Sequence, residues 1–581
     1  MNMRTLLLQN YGWLNGYKRG YLIGDLISAL ILSVLLVPQS LAYALLAGLP
    51  PQTGLYAAIF PSIAYAFFGS SRFLAVGPVA ITSLMTMAVI SQVPEEFRLV
   101  SAAMLALMAG GFLTLFGMMR GGALATFFSR PVVSAYITGA AILIMLSQFK
   151  YIFQIEVTGR RFAEMMPSFL SNLEQAHLVP SCIGVGTIVA LLFLKRYGLR
   201  WLRLAGLRKR HARLIVKLSP ILVVGVATVL TGWLGLEQKY GVETIGNIPA
   251  VLPQFMFPVA ELAHWKSLIV SAFLISLVGF VDSVSIGQTL AAKNRTRVDP
   301  NKELLGVGAA NIAAGLTGAY PVAGSLSRSA INFSSGAKSP LVGVMTALVV
   351  ALAILTILPI LKSMPLATLA GLIVYSCFSL LNFKDIWNTW CYSKADALTA
   401  LGAFFAVLLV GIQYGVLIGT ILSMIFHIRL TLKPHTVEVG RFLGTEHYRD
   451  ADLYTVEEFD EVKTLRIDES LYFANARFLE DTVAQLVVKY PKMRNLVLMC
   501  PAVNRIDASA LESLLVINDR LYDLDIKLHL SEMHAQVRER LHRSNFLEKL
   551  TGEVFFTQHE AIEALRPEPD WSQFSDHIDI H

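Results

Sequence analysis

The chain has 581 residues, of which 55% are hydrophobic and only 15% charged, and its formal net charge is +7. The mean hydropathy of +0.57 excludes an ordinary soluble composition. Residues 1–432 hold 31 Lys or Arg and 14 Asp or Glu, whereas residues 433–581 hold 17 and 27. A basic apolar region thus precedes an acidic polar one, which argues against a nucleic-acid-binding protein.

The N-terminal residues 1–20 lack the apolar run and cleavage site of a secretory signal. We interpret them as a retained cytoplasmic segment. Apolar segments long enough to cross a bilayer, about 20 residues each, then recur from Tyr21 to Leu432. We predict fourteen helical spans, some too short to cross alone: 21–46, 54–69, 73–91, 97–118, 122–146, 180–196, 214–234, 266–290, 303–318, 320–333, 339–359, 365–381, 395–410 and 412–431.

Basic residues fall mainly in the loops on one side of these spans, with the largest cluster at 195–217. By the positive-inside rule, that side is cytoplasmic. The sequence therefore predicts a multi-pass protein of the cell inner (cytoplasmic) membrane, with the N-terminus and the acidic tail both in the cytoplasm.

Two spans are too interrupted for continuous helices. They are FLAVGPVAITSLM (73–85) and AYPVAGSLSRSAINF (319–333), in which Gly and Pro fall at mid-span. Unpaired backbone at that depth is tolerated only where it is buried in protein or lines a cavity. Paired interruptions in corresponding halves are typical of transporter sites built from half-helices.

The two halves correspond approximately. Pairing Pro78 with Ser325 gives an offset of 247, and pairing Gln39 with Asp282 gives 243. With seven spans on each side, these offsets favour a 7+7 repeat, and because seven is odd, the second half is inverted.

Half-helices that start from opposite sides direct free N–H groups and positive dipole ends at one point, which favours an anion. Ser325, Ser327 and Ser329 add hydroxyl donors beside Arg328, and Gln39 adds an amide. This chemistry suits an oxyanion such as sulfate or bicarbonate.

Each candidate also has a structural interpretation. The serines are equally expected to pack between helices, and Arg328 is long enough to reach the inner interface. Asp282 lies well inside a span, whereas Asp25 and Glu303 lie near span ends. We expect Asp282 either to couple transport to a proton or cation or to pair with Arg328 or a lysine.

The segments that carry the site resemble the SulP sulfate-permease family, which includes sulfate transporters and the prestin-like anion exchangers. The resemblance rests on three long motifs and spans nearly the whole chain. They are VPQSLAYALLAGLPPQTGLYAAIFPSIAYAFFGSSRFLAVGPVAI (37–81), GFVDSVSIGQTLA (279–291) and SLSRS (325–329).

The resemblance implies an α-helical polytopic fold of fourteen spans, divided into core and gate domains, with elevator-like movement and homodimers. It places the anion between the third and tenth spans and coupling at Asp282, where many bacterial members have Glu. The implied anion-binding residues are Gln39, Tyr43, Val79, Ala80, Ser325, Leu326, Ser327 and Arg328.

The acidic tail alternates strand-like and helix-like segments, which predicts a small cytoplasmic α/β domain. It resembles the STAS domain, with NRIDASALESL (504–514) as the matching segment. Ser509 stands where soluble relatives are phosphorylated, although Ser after Asp507 is also an ordinary helix cap. The predicted boundaries are a transmembrane domain at 21–432, a linker at 433–450, a STAS domain at 451–568 and a C-terminal tail at 569–581.

These observations favour proton-coupled secondary active transport of inorganic oxyanions, with sulfate first. A sodium-coupled bicarbonate transporter or an anion exchanger remains open, as does a membrane-tethered STAS regulatory module. The four cysteines (Cys182, Cys377, Cys391 and Cys500) and the histidines show no metal-ligand spacing, and no nucleophile–base pair appears. We therefore expect no catalytic residues, no metal and no cofactor, only a co-transported proton or sodium ion.

Overall fold

The computed structural model describes residues 17, 19–123, 129–258, 262–356 and 358–566. The chain divides into two compact units between Met424 and Ile425. Most of the predicted N-terminal segment 1–20 and all of the predicted tail 569–581 lie outside the described residues.

The first unit is helical apart from two two-residue strands, β1 (Val76–Gly77) and β2 (Ala323–Gly324). Two 3-10 helices, Leu173–Gln175 and Leu358–Ser363, interrupt its loops. Its helices are α1 (Arg19–Leu46), α2 (Gln52–Phe68), α3 (Ala80–Ile90), α4 (Glu95–Met118), α5 (Arg130–Phe153), α6 (Phe162–Asn172), α7 (Leu178–Leu204), α8 (Lys209–Lys217), α9 (Ser219–Leu234), α10 (Leu236–Tyr240), α11 (Leu262–Lys293), α12 (Pro300–Leu316), α13 (Leu326–Ser335), α14 (Leu341–Thr356), α15 (Leu366–Phe378), α16 (Phe383–Tyr392), α17 (Lys394–Val410) and α18 (Ile412–Thr431).

Every predicted span contains one of these helices, although some boundaries differ. Helix α5 begins at Arg130 rather than 122, because Pro131 presets the first turn of a helix. The span predicted at 214–234 is divided at Leu218 between α8 and α9. Within the described residues, six helices are long and apolar enough to cross a membrane by length and composition. The total of fourteen crossings stays a prediction.

The helices pack in two groups. One group contains α1, α2, α4, α11, α12 and α14, and the other contains α5, α7, α9, α15 and α17. Close backbone approach holds the first group together. A Cβ at Gly308 would lie 2.9 Å from the Thr114 nitrogen, and one at Gly110 would lie 2.7 Å from the Ile312 nitrogen. Glycine is therefore required on both faces of the α4–α12 contact.

Asp25 is fully buried near the start of α1, where it holds the start of α14. Its carboxylate accepts the Lys338 N–H at 2.6 Å and the Ser339 hydroxyl at 2.7 Å. These bonds satisfy a carboxylate that would otherwise be costly to bury. Asp25 therefore has a structural role.

The second unit is an α/β domain. Its strands are β3 (Thr436–Phe442), β4 (Tyr448–Asp450), β5 (Val456–Glu457), β6 (Val462–Ile467), β7 (Asn495–Met499), β8 (Lys527–Ser531) and β9 (Val554–Phe555). Its helices are α19 (Ala476–Lys489), α20 (Ala508–Tyr522), α21 (Ala535–Arg543), α22 (Phe546–Lys549) and α23 (Gln558–Leu565). Strands β6–β9 are parallel, whereas β3 runs antiparallel to β6 and pairs with β4 and β5, which gives the order β4-β3-β6-β7-β8-β9.

The strand-like and helix-like segments read from the tail coincide with β6 to α21 to within about one residue at each boundary. They are 462–467, 476–489, 495–499, 508–521, 526–530 and 534–542. The predicted linker 433–450 is corrected, because its residues form β3 and β4. Polar residues interrupt β3, in the sequence TVEVGRF, so its apolar alternation is weak. Hydrogen bonds to β6 make it a strand, so the sheet of the second unit begins at Thr436.

His529 occupies the middle of this sheet as a neutral side chain. Its Nδ1 accepts the Glu553 N–H at 3.0 Å, and its Nε2 lies 3.1 Å from Asn495 Oδ1. Nδ1 must be unprotonated to accept, so Nε2 carries the hydrogen. Burial lowers the pKa of His529 from 6.5 to about 4.

Acid should therefore loosen the second unit selectively. Below about pH 6.5 the unfolded chain binds a proton that the folded sheet excludes until about pH 4, so stability is lost across this window, by up to roughly 3 kcal/mol. Hydrogen exchange of β7 and β8 amides in the full chain, corrected for intrinsic rates, measures this loss between pH 7 and pH 5. His529→Gln should flatten the dependence and the exposed His447→Gln should not. Equal slopes in all three proteins would contradict the assignment.

Candidate anion-binding site

The two interrupted segments meet as an antiparallel pair of two-residue strands. Strand β1 (Val76–Gly77) pairs with β2 (Ala323–Gly324), with Val76 opposite Gly324 and Gly77 opposite Ala323. The paired residues are 248 and 246 positions apart, close to the offset of 247 obtained by matching Pro78 with Ser325 in the sequence.

Each break supplies hydrogen-bond partners for the other. The Ser325 N–H donates to the Ala75 carbonyl at 3.0 Å, and the Ala75 N–H donates to the Ser329 hydroxyl at 2.9 Å. The Ser62 hydroxyl on α2 donates to the Val76 carbonyl at 3.0 Å. Ser329 thus fastens the first break as an acceptor, and its predicted role as a hydroxyl donor to a solute stays a prediction.

Helices α11 and α12 hold the second break. The Gly324 N–H donates to the Ser283 hydroxyl at 2.9 Å, and the Asn311 amide both donates to and accepts from the Val322 backbone at 2.9 Å. A Cβ at Gly324 would lie 2.8 Å from Leu74 Cδ1 and 3.1 Å from the Ser283 hydroxyl. A side chain at this position would displace the Leu74 side chain and press against Ser283 of α11.

Glu303 holds the entry to the first break. This fully buried carboxylate on α12 accepts the Tyr65 hydroxyl at 2.8 Å, the Ser70 hydroxyl at 2.7 Å and the Ser71 N–H at 2.8 Å. Together with the Ser70 N–H at 3.1 Å, these donors satisfy its charge within the protein. Glu303 is therefore an anchor for the break.

Helices α3 and α13 start directly beside the strand pair. Neither start has a side-chain cap, because Val79 cannot accept a hydrogen bond and the Ser325 hydroxyl does not make one. The first three N–H groups of each helix have no intrahelical partner. Because the strands that lead into them are antiparallel, the two helices leave from one place in opposite directions, and their positive dipole ends converge there.

Arg328 crosses between the two breaks. Its side chain is 1% exposed, and Nη1 donates to the Pro78 carbonyl at 2.8 Å. Nη2 is buried and has no hydrogen-bond partner among the described residues. The described residues also place no carboxylate in an ion pair with this guanidinium, whose electrostatic neighbours are the phenols of Tyr43 and Tyr320. It is shielded from solvent and forms no ion pair with Asp282.

The other predicted anion-binding residues surround these helix starts to differing degrees. On α1, Gln39 is half-buried with an unpartnered Oε1, and Tyr43 one turn later is 7% exposed. Val79 and Ala80 form the start of α3. At the start of α13, Ser325 is half-buried and Leu326 and Ser327 are exposed, with the two serine hydroxyls 3.4 Å apart.

Asp282 lies beside this site but faces away from it. The adjacent Ser283 contacts β2, whereas Asp282, 9% exposed, lines a small cavity with Val132 and Tyr136 of α5 and Thr420 of α18. No described basic residue forms an ion pair with it, and burial is the dominant influence on its carboxyl group. Its place is the boundary between the two helix groups.

Sequence reasoning missed three contributors: Ser283, Asn311 and Tyr320. Tyr320 is fully buried beside Arg328, directly before Pro321. The sequence could have indicated Tyr320, because it is an aromatic residue inside an interrupted span. The serines and Arg328 of the same segment were considered instead. Ser283 and Asn311 gave no signal, because they act on backbone groups 41 and 11 residues away.

This arrangement defines the class of protein: a polytopic membrane protein with two half-helices at a buried polar site, joined to an α/β domain. A sequence profile described as the Sulfate permease family matches residues 22–403, and a STAS domain profile matches residues 454–561. The chain belongs to the sulfate permease family of membrane transport proteins and carries a C-terminal STAS domain.

Individual relatives cover most of the chain. It is 34% identical to probable sulfate transporter 4.2 of Arabidopsis thaliana, over 96% of this chain and 82% of that protein. It is 31% identical to a probable sulfate transporter of Mycobacterium tuberculosis, over 96% of this chain and 98% of the other. The structure of the murine anion transporter Slc26a9, solved in an inward-facing state, shares the fold with a TM-score of 0.87 at 24% identity, covering 97% and 95% of the two chains.

The anchoring role of Glu303 gives a stability prediction. Glu303→Ala leaves the donors at Tyr65, Ser70 and Ser71 unsatisfied in a buried place, which should destabilise the first unit by about 3 kcal/mol. Thermal unfolding in detergent measures the change. Glu156→Ala, at an exposed loop position, is the control and should unfold like wild type. An unchanged midpoint for Glu303→Ala would contradict the role.

Proposed function

We propose that the protein transports inorganic oxyanions through the point where α3 and α13 start. The observation that carries this proposal is the buried guanidinium of Arg328, which has no carboxylate partner among the described residues. An isolated buried charge costs several kcal/mol unless a counter-charge is supplied. A solute anion is the counter-charge that two uncapped helix starts also favour.

The polar groups at this point favour a tetrahedral or planar oxyanion. They are donors from two helix starts, the hydroxyls of Ser325 and Ser327, and the Gln39 amide, so several oxygens of one solute are bound from different directions. Val79, Ala80, Leu326 and Tyr43 form the apolar and aromatic surroundings. Sulfate is the leading substrate because the plant and mycobacterial relatives are named as sulfate transporters.

The two helix groups support an elevator-like mechanism. The first group carries both half-helices through contacts of α3 and α13 with α1 and α11, and it acts as the moving core. The second group, which contains α5 and α17, acts as the stationary gate. Asp282 lies where α11 faces α5, so its charge state would alter the contact between the two groups.

We assign proton coupling to Asp282. A carboxylate without a described partner at the boundary between moving groups is costly when charged, and protonation removes that cost. Sodium-coupled bicarbonate transport and anion exchange are the alternatives. Labelled sulfate uptake into proteoliposomes, with a pH gradient, a sodium gradient or internal anion alone, separates the three. No sulfate uptake under any gradient would exclude the sulfate proposal.

We place the protein in the cytoplasmic membrane as a homodimer, with the N-terminus and STAS domain inside. The basic cluster at 195–217 supports this orientation. The rival function, a tethered STAS regulatory module, predicts that the anion binds the tail alone. Deletion of 433–581, a boundary that removes the whole sheet including β3, tests it: retained anion binding by residues 1–432 supports transport, and binding only by the tail supports the rival.

Removing the guanidinium should weaken the site. Arg328→Ala should weaken sulfate binding about tenfold or more, because a charge-assisted hydrogen bond contributes about 2 kcal/mol. Equilibrium binding of labelled sulfate to detergent-purified protein measures the change. Arg196→Ala, an exposed cation on α7, is the matched control. Wild-type affinity in a folded Arg328→Ala protein would exclude Arg328 from the site.

Neutralising Asp282 should separate transport from its driving gradient. Asp282→Asn should retain sulfate–sulfate exchange and lose accumulation driven by a pH gradient, because the amide cannot take up the coupled proton. Both rates are measured in the same proteoliposomes. Asp396→Asn makes the same chemical change at an exposed position on α17 and should behave as wild type. Accumulation by Asp282→Asn would remove this residue from the coupling mechanism.

A further inference from the structure

A large cavity lies between the two helix groups, toward the C-terminal ends of α1, α3 and α5. Its volume is about 680 Å³. Its inner wall includes Leu46, three residues after Tyr43, and Leu84, one helical turn after Ala80. The cavity therefore extends to within about a turn of the proposed anion site on both helices. By the predicted orientation, these helix ends face outward.

Three cations line this cavity: Lys150, Arg160 and Arg161. The outward loops of the predicted topology contain only seven basic residues, the other four being Arg98, Lys239, Lys266 and Lys362. The positive-inside rule disfavours basic residues on this side. Their concentration at one cavity therefore needs a local explanation.

The loop that carries two of these cations is held in place. Gly159, at φ 107°, turns the chain over the start of α6, and the Thr158 N–H donates to the Ser168 hydroxyl at 2.9 Å. Arg160 Nη2 donates to the Ser91 hydroxyl at the end of α3 at 2.8 Å. The Arg161 guanidinium is thereby positioned at the cavity wall.

One carboxylate, Glu164, opposes these charges. It accepts the Arg160 N–H at 2.9 Å, which lowers the pKa of its carboxyl, and lies 3.7 Å from Arg161 Nε. The three cations and Glu164 leave the cavity with a net charge of +2. A concave site of one sign raises the local concentration of oppositely charged solutes.

We propose that this cavity is a capture site for inorganic oxyanions, which binds the solute from outside before it reaches the starts of α3 and α13. The inference rests on the proposed transport function and adds a second site to it. Leu46 and Leu84, which line the cavity, belong to the helices that carry the proposed inner site. We expect capture to change the concentration at the entrance and to leave the inner binding step unaltered.

Opposite charge changes at neighbouring residues test the proposal. Whole cells without other sulfate uptake are assayed for labelled sulfate at low ionic strength, giving KM and Vmax. We expect Arg161→Gln to raise KM about threefold and Glu164→Gln, which retains the hydrogen-bond acceptor, to lower it by a similar factor, both with unchanged Vmax. Lys239→Gln, an outward cation away from the cavity, should leave both constants unchanged.

Two properties distinguish electrostatic capture from a structural effect. The KM differences should nearly vanish at about 0.5 M of a monovalent salt, because the Debye length then falls to about 4 Å. In a Cys182→Ser, Cys391→Ser background, Arg161→Cys should regain a low KM with an impermeant reagent that adds an ammonium group. A matching impermeant reagent that adds a negatively charged sulfonate group to the same cysteine should raise KM further.

The outcomes separate the two proposals. If wild type takes up sulfate and both Arg161→Gln and Glu164→Gln have the wild-type KM, the capture site is overturned and the proposed transport function is not. A rise in KM in both variants, independent of salt, would assign these residues to the loop fold and would also overturn it. If wild type takes up no sulfate under any gradient, the proposed function itself fails and the capture site with it.

Discussion

The rest of the membrane unit depends on one constraint: two stretches of broken helix must satisfy their backbone polar groups inside a bundle. Their solution is mutual. Val76 and Gly77 pair with Ala323 and Gly324, and side chains from α2, α11, α12 and α13 supply the remaining bonds. Because unsatisfied amides cost several kcal/mol each in hydrocarbon, neither break is stable without the other. Pairing of distant segments is thus a condition of folding, and the convergence of the two helix starts follows from it.

Some polar groups around these breaks have hydrogen-bond partners within the protein and others do not. The groups with partners hold the backbone, and those without partners belong to the proposed anion site. Glu303, Ser329 and Asn311 have partners within the protein and fix the backbone. Arg328 and Gln39 each retain a buried atom without a partner among the described residues. Natural proteins satisfy most buried polar groups, and of these two atoms the donor Arg328 Nη2 is the one that the proposed anion would complete, because Gln39 Oε1 is an acceptor. Asp282 belongs to neither set, because it lies at the boundary between the two helix groups.

The second unit follows different physics. Its sheet is held by apolar side chains on both faces, and its predicted elements match because strand and helix periodicities are local properties of the sequence. Strand β3 escaped prediction for the same reason, since its polar alternation becomes a strand only when β6 offers a partner. The buried neutral His529 is another tertiary effect, created by Glu553 and Asn495 from neighbouring segments.

The sequence by itself determined the division into an apolar region and a polar domain, and the position of nearly every helix. It also determined the two interruptions and their offset of 247. Hydropathy, Pro and Gly are sufficient for this because they act over short distances along the chain. The sequence also identified Arg328 as a charge that needs an explanation. Only the tertiary structure decided where that charge points, that Ser329 and Glu303 serve the backbone, and that Tyr320 and Ser283 belong to the site. These roles arise from contacts between residues up to 254 positions apart, and a one-dimensional pattern carries no information about which distant group will occupy the other end of a hydrogen bond.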